Sequence, residues 1–124
     1  MAAPNIVNVT TIYGKTAYLT PANTTANVLL ANAAASGKVL KINQIVAANT
    51  TGTAANTTVA VNSAAAGSGT SYSVAGAISV PANASLIITD KTTAIYLEED
   101  KSIVVTSGTS SAISYTISYE EISS

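Results

Sequence analysis

The chain has 124 residues, enough for one domain that buries roughly two-thirds of the surface its unfolded form exposes. It contains no cysteine, histidine or arginine, which excludes disulfides and thiolate metal sites, the usual general base and any guanidinium fork for phosphates. Only 9% of residues are charged, for a net charge of −1, and no apolar run approaches the roughly 18 residues of a spanning helix, so neither nucleic acid nor membrane is an expected partner.

Residues 1–8 have neither the basic nor the apolar region of a signal peptide and read as an extended N-terminal arm. Ile6 to Thr20 is expected to be extended, with Val7, Val9, Thr11 and Tyr13 on one face, a bend or bulge at Gly14, and Ala17 and Leu19 resuming after it. Pro21 to Thr25 is a turn. The stretch 26–36 fits either a short helix capped by Gly37 or a strand over Ala26 to Ala31. The strand is preferred, because a helix would stand alone among segments of strand periodicity.

Lys38 to Asn49 reads as a longer strand with Leu40, Ile42, Val46 and Ala48 on one face and Gln44 as the odd polar member. A hairpin connection follows over Asn49 to Asn56, its Gly52 suited to a positive backbone angle. Thr57 to Ser63 returns with Val59 and Val61 inward, and Ala64 to Gly69 is a flexible loop. Thr70 to Val80 places Tyr72, Val74, Ile78 and Val80 on one face. Strands Ser85–Thr89 and Thr92–Glu98 flank a turn at Asp90-Lys91, and a charged hinge, Glu98 to Lys101, leads into the apolar run Ile103 to Val105. The cleanest alternation comes last: Ile113, Tyr115, Ile117 and Tyr119 face one way, Ala112, Ser114, Thr116 and Ser118 the other. About eight to ten short strands at this spacing make an all-β chain, a single antiparallel β-sandwich or jelly-roll-like domain over residues 1–124.

Little in the chain has catalytic form. Glu98, Glu99 and Asp100 are adjacent carboxylates, but a Ca²⁺ site needs about six oxygens from converging segments, so they read as a solvated turn. Asp90 with Glu98 has no spacing that favours a glycosidase pair. Without histidine the serines lack a base other than lysine, and no Ser-x-x-Lys pattern is present. Gly67-Ser68-Gly69 lacks the lysine of a phosphate loop. The Asn-x-Ser/Thr sequons are what a chain rich in these residues contains by chance. No catalytic residue, metal, cofactor or small-molecule substrate is expected. Of the tyrosines, Tyr13, Tyr72, Tyr115 and Tyr119 share faces with Val and Ile and read as core or core rim; Tyr18 and Tyr96 fall on the opposite phase and are the candidate exposed aromatics.

Charge is segregated along the chain. Residues 1–89 hold Lys15, Lys38 and Lys41 and no acid, a net +3; residues 90–124 hold six acids and two lysines, a net −4, which together give −1. Either the acids lie beside the lysines within one fold, or Lys15, Lys38 and Lys41 of one copy meet Glu98, Glu99, Asp100, Glu120 and Glu121 of another. The first alternative is preferred.

Four runs, KVLKINQIVAANTTG at 38–52, VPANASL at 80–86, IYLEE at 95–99 and ISYEEI at 117–122, taken in this order and spacing, resemble small virion structural proteins of tailed bacteriophages, including those of marine cyanobacteria. Members often have glycine after the acidic pair, where this chain has Asp100-Lys101. The resemblance implies a non-enzymatic β-sandwich displayed in many copies on a particle assembled in the host cytoplasm. Its leading form is a capsid decoration (cement) protein, a homo-oligomer on the lattice of the major capsid protein. The alternatives are a neck, tail or fibre component, and a lectin-like adhesion module that would use Tyr18 and Tyr96. Under the decoration reading, Met1 to Asn8 would add as a strand to a neighbour's open sheet edge.

Overall fold

The computed structural model describes residues 9–123. Among them are nine strands: β1 (Thr11–Leu19), β2 (Asn27–Asn32), β3 (Lys38–Asn49), β4 (Ala55–Asn62), β5 (Ser71–Val80), β6 (Ser85–Thr89), β7 (Ile95–Leu97), β8 (Lys101–Ser107) and β9 (Ile113–Ser123). A one-turn 3₁₀ helix, Lys91–Thr93, stands between β6 and β7. The proposed arm, Met1 to Asn8, lies outside the described residues.

The strands form two antiparallel sheets. The first has the order β1-β9-β3-β6, with the short β7 also on β3; the second has the order β2-β8-β4-β5. The pairs are nested: β1 with β9, β2 with β8, β3 with β6, and β4 with β5. Rolling such a nested hairpin so that successive pairs alternate between sheets produces a jelly roll, which is the all-β sandwich the spacing predicts. The stretch 26–36 contributes a strand, β2, and no helix.

The alternation of β9 explains its central place. Ile113, Tyr115 and Ile117 are fully buried between the sheets, facing Val59, Ile103 and Val105 from the second sheet. Tyr115 also ties the two sheets with its polar end. Its hydroxyl donates to the Thr106 carbonyl at 3.1 Å and accepts from the Thr57 hydroxyl, both on the opposite sheet. Burial pushes the phenol pKa up, with the Thr57 bond opposing.

Bulges change several faces that a simple period of two would assign. In β3 the register slips between Ile42 and Gln44, so Asn43 is extra and the phase reverses. Leu40 and Ile42 are buried as expected, but Ile45 and Ala47 take the inward places beyond the bulge, while Val46 and Ala48 are only half-buried. Gln44 is then an ordinary outward residue. Strand β5 carries two register shifts against β4, so Ala75 is buried and Val74 is not. Tyr72 and Ile78 keep the inward phase, opposite Val61 and Thr57, yet lie exposed on the outermost strand. Tyr13, on the outermost strand of the first sheet, is likewise exposed rather than core. No shift occurs at Gly14, where β1 and β9 stay in register, and among the glycines the positive backbone angles fall at Gly37 and Gly67 rather than at Gly52.

A recurrent device that composition conceals is a buried asparagine at the last position of three strands: Asn32, Asn49 and Asn62. Each uses its side chain to hold the loop it opens. Asn49 donates to the Thr53 and Val80 carbonyls and accepts from the Thr51 amide and hydroxyl. Asn62 donates to the Gly67 and Gly69 carbonyls and to Ser71 Oγ, and accepts from the amides of Ala64 and Gly69. The loop 63–70, whose stretch Ala64 to Gly69 reads from its glycines as flexible, is therefore pinned. It packs on the outer face of the second sheet, where a side chain added at Gly67 would meet Val28 and Val104.

Candidate functional site

The eight charged residues singled out by sequence separate into three groups. Glu121, on the central strand β9, lies between Lys15 of β1 and Lys38 of β3, with Nζ–O distances of 3.1 and 3.2 Å. Burial pushes the Glu121 carboxyl up, but the two lysine hydrogen bonds and charges outweigh it and hold the carboxyl below its usual range. The hydrogen bond and charge of Glu121 raise Lys15 in turn. These three residues pair within one chain.

Glu120, the next residue, points to the outer face of the first sheet and accepts from Asn43 Nδ2 at 2.9 Å. Lys41 stands opposite it in the register, yet no ion pair joins them. The third group is the β7–β8 turn. Glu98 is exposed, and both carboxylate oxygens of Glu99 are covered without a hydrogen-bond partner. Asp100 Oδ1 accepts from the Ala65 amide at 3.3 Å. Asp100 has φ 57°, the left-handed region that glycine enters without strain, so this turn has the geometry that a glycine at that position serves. None of the three carboxylates meets a lysine, and the described residues hold no group of three or more metal-ligating side chains.

Tyr18 and Tyr96 are exposed, by 81% and 47%, and both are on the outer face of the first sheet. Their neighbours dictate this: Ala17 and Leu19 pack toward the core on β1, as do Ile95 and Leu97 on β7. Between the two tyrosines the face carries the hydroxyls of Thr16, Thr116 and Ser118 beside Lys41, Glu120, Gln44 and Val46, and it dips into a cavity of about 440 Å³ lined by Asn43, Gln44, Asp90, Lys91, Thr92 and Ser118. Asp90 caps the 3₁₀ helix: its Oδ1 accepts from the Thr92 amide at 2.9 Å and the Thr92 hydroxyl at 2.5 Å. Those bonds, the hydroxyl's first, hold its carboxyl below the ordinary value. This cavity has no sequence motif; its one legible sign is Gln44, the odd polar member of the face read from Leu40, Ile42, Val46 and Ala48.

A second surface is the open edge of the second sheet. β5 contains no charged residue in its ten positions, and Tyr72, Val74 and Ile78 are exposed there by 65%, 39% and 41%. Among the described residues no helix is long and apolar enough to cross a membrane. Compared with known proteins, the chain matches no family model and no curated protein.

Proposed function

We propose that this protein is a non-enzymatic virion structural protein, a capsid decoration protein that sits as a homo-oligomer on the major capsid lattice. The observation that carries the reading is the uncharged β5 edge with exposed Tyr72, Val74 and Ile78. Soluble sandwiches guard an open edge with lysine, proline, inward charge or bulges, and of these β5 has only its two bulges along its length. Two copies packed β5 to β5 about a two-fold axis would bring no like charges together. The two bulges interrupt the strand's open hydrogen-bonding groups, so side-chain packing, more than strand addition, would supply the contact.

The four-run resemblance to phage virion proteins supports the same reading, and the jelly roll is a fold that viral capsid domains share with lectins, a support by analogy only. A reconstruction of a particle carrying this protein is the test. Hundreds of copies over the head lattice are expected; a handful at the neck, tail or fibre would replace the decoration role with the tail reading.

A further inference from the structure

Strand β3 is partnered by β9 along one edge, but its other edge is divided: β7 pairs with Leu40 to Ile42, and β6 with Ile45 to Ala48. Asn43 and Gln44 are left between them without a strand on that side. The chain bridges the gap as the segment Asp90 to Ala94, whose 3₁₀ turn forms the far wall of the 440 Å³ cavity. The bulge that reverses the phase of β3 and the interruption between β6 and β7 thus occur at one place, and together they open a notch in the sheet.

We propose that this notch, with the hydroxyl-bearing sheet face between Tyr96 and Tyr18, binds a neutral glycan chain. The lining is two amides, two hydroxyls, one carboxylate and one ammonium, a set that offers donors and acceptors side by side, as vicinal sugar hydroxyls require. Several of these groups are uncommitted. Gln44 is exposed and its amide makes no hydrogen bond among the described residues; both Thr92 bonds to Asp90 fall on Oδ1 and neither on Oδ2. Asp90 and Lys91 cancel, and the chain has no arginine, so the site suits neither phosphate nor sulfate.

The aromatics supply the other half of sugar recognition, an apolar ring against which the C–H face of a pyranose can lie. Tyr96 is opposite Lys41 on the same outward face, about 10 Å along β3 from Gln44 at ~3.4 Å per residue. Tyr18 is opposite Thr116 on β1, two strands and roughly 10 Å away across the sheet. A polymer crossing this strip would meet one ring, the notch and the second ring in turn. A ligand on this face goes beyond the expectation of no small-molecule partner, and it does not rest on the decoration role, since the β5 edge belongs to the other sheet.

The experiment uses the whole chain and a panel of neutral hexose and N-acetylhexosamine hexamers, with polygalacturonate as the acidic control, read by titration calorimetry and saturation-transfer NMR. At least one neutral hexamer is expected to bind, with its protons nearest Tyr96 and Tyr18 saturated most strongly. Gln44→Ala and Tyr96→Ala should each weaken it roughly tenfold at unchanged melting temperature. No binding to any neutral hexamer, binding to polygalacturonate alone, or full affinity in Gln44→Ala would overturn the proposal.

Discussion

The two sheets share a core but have opposite exteriors. The first carries Lys15, Lys38, Lys41, Glu120 and Glu121 in its strands, exposes Tyr18, Ile87 and Tyr96 among the polar groups of its outer face, and is notched where β6 gives way to β7. The second has Lys101 as its only charged strand residue, covers part of its outer face with the pinned loop 63–70, and ends in the uncharged β5. A chain with 9% charged residues has concentrated them where the surface is polar and left one side almost bare. On the two proposals above, the sides would do different work: ligand contact on the first, contact between copies on the second.

The strongest way to break that division is to cut what joins the sheets. Tyr115→Ala removes a fully buried ring and is expected to cost about 3–5 kcal/mol in denaturant unfolding, a large share of a small domain's stability. Tyr115→Phe keeps the ring but strands the Thr57 hydroxyl and Thr106 carbonyl, at roughly 1–3 kcal/mol. A phenylalanine variant as stable as the parent would show that the polar tie contributes nothing.

Next comes the cover on the second sheet. Asn62→Ala leaves loop carbonyls and amides unpaired and is expected to cost about 2–3 kcal/mol, with faster amide exchange confined to residues 63–70. Uniform exchange changes would contradict the loop-pinning role. This device was invisible in the sequence, where Asn62 is one of many asparagines and only its burial at a strand end distinguishes it. By contrast, the β9 alternation and the turn residues made the sandwich legible. What period-two reading missed was parity: one extra residue at Asn43 moves Ile45 and Ala47 inward, and paired shifts in β5 leave Val74 out. Exposure of Tyr13 and Tyr72 was equally hidden, because periodicity gives a residue's face but not whether its strand ends a sheet. The Lys–Glu grouping was half legible: charge segregation along the chain is visible, while the register that brings Lys15 and Lys38 to Glu121 is not.

A smaller effect tests the charged sheet. Glu121→Ala removes two ion pairs and is expected to cost about 1 kcal/mol at neutral pH and low salt. Because the folded carboxyl is held below its unfolded value of roughly 4.3, its contribution is present above that pH and fades as pH falls through the folded value. The gap between parent and variant in urea midpoints should therefore close on acidification, and shrink with added salt. A gap that persists at pH 2 would assign the loss to packing instead.

The smallest expected change in stability accompanies the most direct test of the division between sheets. Sedimentation equilibrium of the parent and of Ile78→Lys, across micromolar concentrations, measures whether β5 joins copies. An oligomer for the parent, and a monomer of unchanged melting temperature for Ile78→Lys, is the predicted result. A parent that stays monomeric, or a lysine variant that associates as the parent does, would contradict it.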